Sequence, residues 1–330
     1  MASMTMLAAI RETLLDEMAR DERVVLLGED VGKNGGVFRA TDGALERFGE
    51  WRVFDTPLAE STIVGASIGL SVAGLVPVAE IQFGGFTMQA YHQLVGQLAR
   101  FRYRSRSRYH CPVTVRSAYG GGVRTPEHHN DSVEAPYTHA PGLSVVVPST
   151  AADAKGLMAT AIRDDNPVVY LHNYLLTLEH GEVPDGEYLV PFGEAAIRRE
   201  GGDVTIVATG WCVDRALNAA EELAKEGIQA EVIDPRTLAP LDTKTILESV
   251  EKTGRLVLVD QSTRHASAAT VIAGEVAEHG FSSLKAPIIQ VTALDATVPY
   301  SQPLEAFVMP DESKVVAAVR QVLGLAPVTA

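Results

Sequence analysis

Apolar positions recur every fourth residue at the start of the chain. Met6, Ile10, Leu14 and Met18 make one stripe and predict a helix over Thr5 to Arg20. Val24-Val25-Leu26-Leu27 then runs apolar without interruption, as a strand buried on both faces does. It ends at Gly28-Glu29-Asp30-Val31-Gly32, a loop at a strand's carboxyl end, where open α/β sheets hold ligands. Val53-Phe54 reads as a further short strand. Asp55-Thr56-Pro57 is expected to open a helix, with Thr56 as cap and Pro57 in the first helical position, running to about Ala73. Gly65, Gly69 and Ala73 fall on one small-residue face of that helix, which suits either tight internal packing or an oligomer interface. Strands are predicted at Val76 to Phe83, Val113 to Val115, Leu143 to Val147 and Val168 to Leu171. Helices are predicted at Thr87 to Arg100 and Asp153 to Arg163. This alternation specifies a parallel sheet with helices on both faces.

Glu187 to Gly202 is polar, carries Pro191 and ends on two glycines, so it reads as a connector. Beyond it the alternation resumes. Strands are expected at Val204 to Val207, Ala230 to Ile233, Leu256 to Val259 and Ile288 to Val291. Helices are expected at Val213 to Glu226, Thr243 to Lys252, Ser267 to His279 and Glu312 to Leu323. The chain thus divides into an α/β domain over residues 1–190 and a smaller one over 191–330.

Charge narrows the function. With 28 basic and 42 acidic residues the formal net charge is −14, which excludes a broadly basic nucleic-acid binder. Arg100, Arg102, Arg104, Arg106 and Arg108 nevertheless alternate with Phe101, Tyr103 and Tyr109. Such a run serves as a protein interface or anion anchor, as a solvated strip, or, less in keeping with the overall charge, as a nucleic-acid patch. The two cysteines, Cys111 and Cys212, share no motif, so neither a disulfide scaffold nor a cysteine zinc site is expected. No run of 18 apolar residues predicts a membrane span, and the expectation is a cytoplasmic protein.

Candidate chemistry concentrates in two places. Glu127-His128-His129-Asn130-Asp131-Ser132-Val133-Glu134 follows Gly120-Gly121-Gly122 and lies in a loop. Two histidines there suit proton transfer near neutral pH. A metal site matches no zinc spacing, and an inert surface loop is the bland alternative. Glu60 stands in the first turn of a helix of small and apolar residues. It is either a carboxylate favoured by the helix dipole or a buried acid aimed at a ligand. Glu80, within an apolar strand, needs a partner if buried. Dinucleotide and nucleotide phosphate-loop motifs are absent, and no serine sits in a nucleophile elbow.

Several long stretches together resemble the β subunit of the E1 component of 2-oxo acid dehydrogenase complexes. They include GEDVGKNGGVFRATDG from Gly28, RVFDTPLAES from Arg52, VAEIQFGGF from Val78 and GGGVRTPEHHNDSVEA from Gly120. PGLSVVVPSTAADAKGLMATAIRDDNPVVY from Pro141 and VIDPRTLAPLD from Val232 extend the resemblance over nearly the whole chain. It implies a thiamine-diphosphate-binding pyrimidine domain with a parallel sheet, followed by a transketolase C-terminal-like α/β domain. It also implies an α₂β₂ heterotetramer with an E1 α subunit, acting on an E2 lipoyl acyltransferase partner. Diphosphate and Mg²⁺ would be held mainly by the α subunit, whose GDG motif this chain lacks.

Residue roles follow from the same resemblance. Glu60 matches the glutamate that hydrogen-bonds N1′ of the cofactor's aminopyrimidine, Phe86 the aromatic packed on that ring, and His129 the histidine facing the substrate. Asp131 and Ser132 would steady the His129 loop. Val113, Ala161, Asp164 and Asn166 match positions around a structural potassium ion, mostly through backbone oxygens. The chain departs from the family in three places. Asn130-Asp131 replaces the usual Ser-Gln or Ser-Asp, and Ser105-Arg106-Ser107 replaces a double glycine. His172-Asn173-Tyr174-Leu175-Leu176-Thr177 replaces a stretch of acid and base that would touch the α chain or the substrate entrance. The expected substrate is a 2-oxo acid, pyruvate slightly ahead of a branched-chain acid. An acetoin-cleaving relative and a non-catalytic paralogue are the alternatives.

Overall fold

The computed structural model describes residues 2–326. Strands of the first half are β1 (Ala2–Thr5), β2 (Val24–Gly28), β3 (Val53–Asp55), β4 (Val76–Phe83), β5 (Thr114–Tyr119), β6 (Ser144–Val146), β7 (Val168–Asn173) and β8 (His180–Val183). Those of the second are β9 (Ala196–Arg199), β10 (Val204–Ala208), β11 (Ala230–Asp234), β12 (Thr237–Ala239), β13 (Leu256–Thr263) and β14 (Ile289–Ala293). Seven strands form one sheet in the order β12-β6-β7-β5-β4-β2-β3. All its pairs are parallel except β12 with β6. Five form a second sheet, β14-β13-β10-β11-β9, parallel except at β9.

Both sheets are covered on two faces, as their unbroken apolar strands require. On one face of the first, the helices Met6–Arg20 and Ala151–Arg163 pack Ile10, Leu14, Leu157 and Met158 against Leu26 and Val78. On the other, the helix Glu60–Val72 and the segment 92–98 pack Ile63, Val64 and Leu94 against Ala79 and Val115.

Four elements depart from expectation. The third helix begins at Glu60, not at Pro57. The amide of Thr56 donates to the Gly28 carbonyl at 2.9 Å, which keeps residues 56–59 in a crossing loop. The helix expected over Thr87 to Arg100 divides into a 3₁₀ stretch Gly84–Ala90, π-type turns His92–Leu98 and an α-helix Ala99–Arg104. The connector contains β9, which pairs antiparallel with β11. Thr237–Ala239, from the second half, closes the edge of the first sheet, so the halves share a strand pairing as well as a boundary.

Candidate active site

The carboxyl ends of β2, β4, β5 and β7 meet the start of the helix Glu60–Val72 on one side of the first sheet. Glu60 is 9% exposed, and no hydrogen bond or ion pair engages its carboxylate among the described residues. The charged group facing it is Glu29, on the loop after β2. Burial, Asp30 and Glu60 together hold the Glu29 carboxyl above the usual carboxylate range. Two acids therefore face each other where the sequence singled out one. The sign available was the position of Glu29 at a strand's carboxyl end.

An aromatic wall stands beside this acid pair. Ser61 donates from its Oγ to the Gln89 carbonyl at 2.5 Å, tying the Glu60 turn to the stretch that carries Phe86. The rings of Phe86 and His129 lie 5.0 Å apart at 70°, and those of Phe83 and His129 4.3 Å apart at 78°. Phe83 also touches Phe38 and Tyr174, at 5.5 and 5.7 Å. Phe86 and His129, chosen from separate motifs, are thus brought into contact. Phe83, Phe38 and Tyr174 were not foreseen, although Phe83 lies within VAEIQFGGF.

The loop carrying the histidines is held from three sides. Pro126 O lies 3.2 Å from Nδ1 of His129, which sets the ring's orientation. Asn130 is fully buried, and its Nδ2 donates to the carbonyls of Thr125 at 2.6 Å and Pro126 at 3.4 Å. This departure from the family pattern is therefore the residue that closes the loop. Asp131 contributes its carbonyl, which accepts from the Gly120 amide at 3.2 Å, and its carboxylate, 3.6 Å from Nδ1 of His128. His128 is exposed while His129 is half-buried. Gly85 packs directly on the backbone here, since a Cβ at that position would stand 2.1 Å from the His128 carbonyl.

Beneath the site lies a charge group of low accessibility. Arg116 donates to Glu80, the partner that acid required, and its Nη1 stands 3.3 Å from Nε2 of His172. All three are at most 1% exposed. Burial, then Arg116, depresses the His172 imidazole well below its ordinary value, so it stays neutral. The altered 172–177 stretch therefore turns inward. His172 and Asn173 face the sheet interior, Asn173 donates to Gln261 at 2.8 Å, and Leu178 just beyond is the exposed residue. His172 and Asn173 therefore do not stand in for the acid and base of relatives at a surface or entrance.

The potassium candidates converge on one corner. The carbonyl of Val113 accepts the Val168 amide at 2.9 Å and that of Ala161 the Asp164 amide at 3.4 Å. Asp164 Oδ1 accepts from the backbone and side chain of Asn166 at 2.7 and 2.9 Å. Among the described residues no group of three or more His, Cys, Asp or Glu is arranged for a metal. In the arginine run Arg102 donates to Asn166 at 2.6 Å and Arg104 to Gln97 at 2.6 Å, while Arg100, Arg106 and Arg108 are exposed. Both cysteines are free and buried. No helix is long and apolar enough to cross a membrane among the described residues.

Comparison with known proteins is consistent along the chain. Residues 2–174 match the family "Transketolase, pyrimidine binding domain", and residues 193–315 match "Transketolase, C-terminal domain". The β subunit of the pyruvate dehydrogenase E1 component of Bacillus subtilis (strain 168) is 49% identical over 324 residues, covering 98% of this chain and 99% of the relative. The 2-oxoisovalerate dehydrogenase subunit beta of the same organism is 46% identical over 323 residues, covering 97% and 99%. Among solved structures a split-gene transketolase, described as an inactive β4 tetramer, superposes with a TM-score of 0.81 at 24% identity, covering 98% of this chain and 99% of that one. At that identity the likeness speaks for the fold alone.

Proposed function

Because the chain belongs to the E1 β subunits of the 2-oxo acid dehydrogenases, we propose that it works with an E1 α subunit to decarboxylate a 2-oxo acid, pyruvate first. The acyl group would pass to the lipoyl group of an E2 acyltransferase. The observation that carries this reading is the Glu60 carboxylate, buried and unpaired beside a wall of Phe83, Phe86 and His129. A carboxylate with no protein donor at this place is free to meet a ring nitrogen able to share a proton. Thiamine diphosphate fits the donor set: Glu60 for N1′ of its aminopyrimidine, Phe86 for the ring face. When bound, it supplies the electron sink that decarboxylation of a 2-oxo acid needs.

The chain's own residues then have separable tasks. Glu60 holds or moves a proton at N1′. Phe86 orients the ring by apolar contact. His129, on a loop closed by Asn130, offers a nitrogen for proton transfer or for charge developing on the substrate. The diphosphate and Mg²⁺ are assigned to the α subunit, because this chain carries no GDG motif. The carbonyls of Val113 and Ala161 each retain a lone pair beyond the hydrogen bond they accept, which with Asp164 and Asn166 makes a potassium site reasonable.

Pyruvate is taken first as the expectation from the sequence, while relatives named for pyruvate and for 2-oxoisovalerate overlap in identity, at 46–49% and 46%. The test is co-expression with the cognate α subunit and measurement of kcat/KM over pyruvate, 3-methyl-2-oxobutanoate and acetoin, with lipoyl acylation as a second readout. Highest turnover of pyruvate is expected. Preference for either of the other two reassigns the substrate, and an assembled tetramer that turns over none of them makes the chain a non-catalytic paralogue.

A further inference from the structure

The residue that ends the histidine loop, Glu134, is unused by the chemistry above. It opens the short helix Glu134–Thr138 and is 3% exposed. Its neighbours come from three other elements. Ser262, in β13 of the C-terminal half, donates from its Oγ to Glu134 Oε2 at 3.4 Å. Asp260, on the same strand, is 1% exposed and adds like-charge repulsion. Tyr119, at the end of β5, faces it with a buried hydroxyl that has no hydrogen-bonding partner. Cys212, at the start of the helix Cys212–Lys225, has its thiol pushed far up by burial, then by Asp260 and Glu134. Arg215, one turn along that helix, is committed to Glu312 at 2.5 Å.

Two buried carboxylates sharing such a place cannot both stay ionised. Burial raises the Asp260 carboxyl as well, but Asp260 has the stronger means to keep its charge. It accepts the Ser262 amide at 2.9 Å and the Ala269 amide at 3.2 Å, the latter at the positive end of the helix Ala268–His279. Glu134 has weaker partners, the Ser262 hydroxyl at 3.4 Å and the Tyr119 hydroxyl facing it, so the proton belongs there. Burial, then Asp260, raises its carboxyl to about 8.

We propose that Glu134 is a positioning residue for His129: as a neutral acid opposite ionised Asp260, it clasps the histidine loop to the C-terminal domain. The start of the loop is tied to the C-terminal half by the Gly122 amide, which donates to the Glu305 carboxylate at 2.6 Å, and Glu134 makes the tie at its end. One side of it rests on the Phe86 stretch, through Gly85 and through the Tyr137 hydroxyl, which donates to Thr87 at 2.6 Å. The opposite side borders a cleft of about 510 Å³ between the halves, lined by Asp131 and Ser132 against Gln261, Ser262 and Asp295. Losing the proton places a second negative charge beside Asp260 and pushes the loop towards that cleft. The link to His129 rests on the proposed function, but the clasp itself does not.

The sign of the pH dependence follows from linkage. A carboxyl that titrates higher folded than unfolded stabilises the fold at low pH and loses that advantage as pH rises from its unfolded value through about 8. The test compares the full chain with Glu134→Gln and Glu134→Ala, by thermal melting from pH 5 to pH 9 and by amide exchange of the peptide spanning the loop. Glu134→Gln is expected to melt with the native chain at pH 5 and several degrees above it at pH 9. Its loop should exchange several-fold more slowly than the native loop at pH 9 and equally at pH 6. Glu134→Ala should melt lower at pH 5, with the flatter pH slope of Gln, which keeps the test open if Gln folds poorly. Parallel pH slopes in all three proteins overturn the clasp. Converging melts with unchanged loop exchange overturn the positioning of His129, whatever the enzyme's substrate proves to be.

Discussion

Glu60 and His129 reach the same site by different routes, and each makes a separate claim. Glu60 is placed by a helix start, buried, with an acid for a neighbour and no cation to neutralise it. A carboxylate serving only the helix dipole has no need of such burial. Glu60→Gln in the assembled enzyme is therefore expected to keep the fold and most cofactor affinity while turnover falls ~10²-fold or more, the scale of a lost acid–base group. Exchange of the cofactor's C2 proton is the direct measurement, and an unchanged rate would return Glu60 to the role of a dipole acid. His129 faces Phe83 and Phe86, whereas His128 points to solvent, close to Asp131. His129→Ala should lower decarboxylation or lipoyl acylation ~10²-fold with C2 exchange largely kept, and His128→Ala should change either step by less than ~5-fold. Pre-steady-state decay of the 2-oxo acid and a lipoyl-domain acylation assay separate the two steps. A greater loss at His128 would contradict the orientation of the rings.

At the scale of elements, the loops decide what the strands only permit. The turn at Ser105-Arg106-Ser107, where relatives carry a double glycine, keeps left-handed backbone at Arg106 and Ser107, with φ of 54° and 59°. That conformation costs an L-residue roughly 1–2 kcal/mol, part of which glycine returns as unfolded-chain entropy. Ser107→Gly is thus expected to raise stability by up to ~1 kcal/mol, measured by urea unfolding. A loss of stability would mean that the serine makes a contact worth more than the strain. Gly120 illustrates the opposite constraint. Its φ is +91°, and a Cβ there would stand 2.5 Å from Gln261 Nε2 and 2.6 Å from Asn173 Nδ2. Glycine at that position lets the end of β5 meet the C-terminal half.

Over the whole molecule, a charged network joins the two halves. Arg198, on β9, donates to Asp153 in the helix Ala151–Arg163 and to Asp234 on β11 at 2.7 Å, and Arg236 reaches Asp153 at 3.1 Å. Burial opposes the Asp153 charge, but Arg198 outweighs it and holds that carboxyl below its usual range. Such pairs make the relative placement of the halves specific rather than loose. The sequence carries no GDG motif, and among the described residues no group of three or more His, Cys, Asp or Glu is arranged for a metal, in keeping with the proposal that the α subunit holds the diphosphate and Mg²⁺. The lone chain is accordingly expected to bind thiamine diphosphate negligibly and to turn over nothing. Calorimetric titration with cofactor and Mg²⁺ measures this directly. Micromolar binding at ordinary stoichiometry would sink the idea that the α subunit completes the site.

Hydrophobic patterning by itself determined the parallel strands and most of the covering helices, because burial on two faces leaves a run such as Val24 to Leu27 no polar position to hide. Glu60 and the histidine pair stood out where the local pattern breaks, but Phe86, and His129 over His128, were legible only through the family resemblance. Only the tertiary structure decided the rest. The helix starts at Glu60, and the Thr56 amide instead joins Gly28, a partner distant in sequence. Glu80, which needed a partner if buried, found its counter-charge in Arg116 on the neighbouring strand. Glu29 against Glu60, and Glu134 against Asp260, are pairs across strands and halves. For Glu29 and Glu134 protonation is set by burial and by the charge opposite, and neither quantity is defined until the chain has folded.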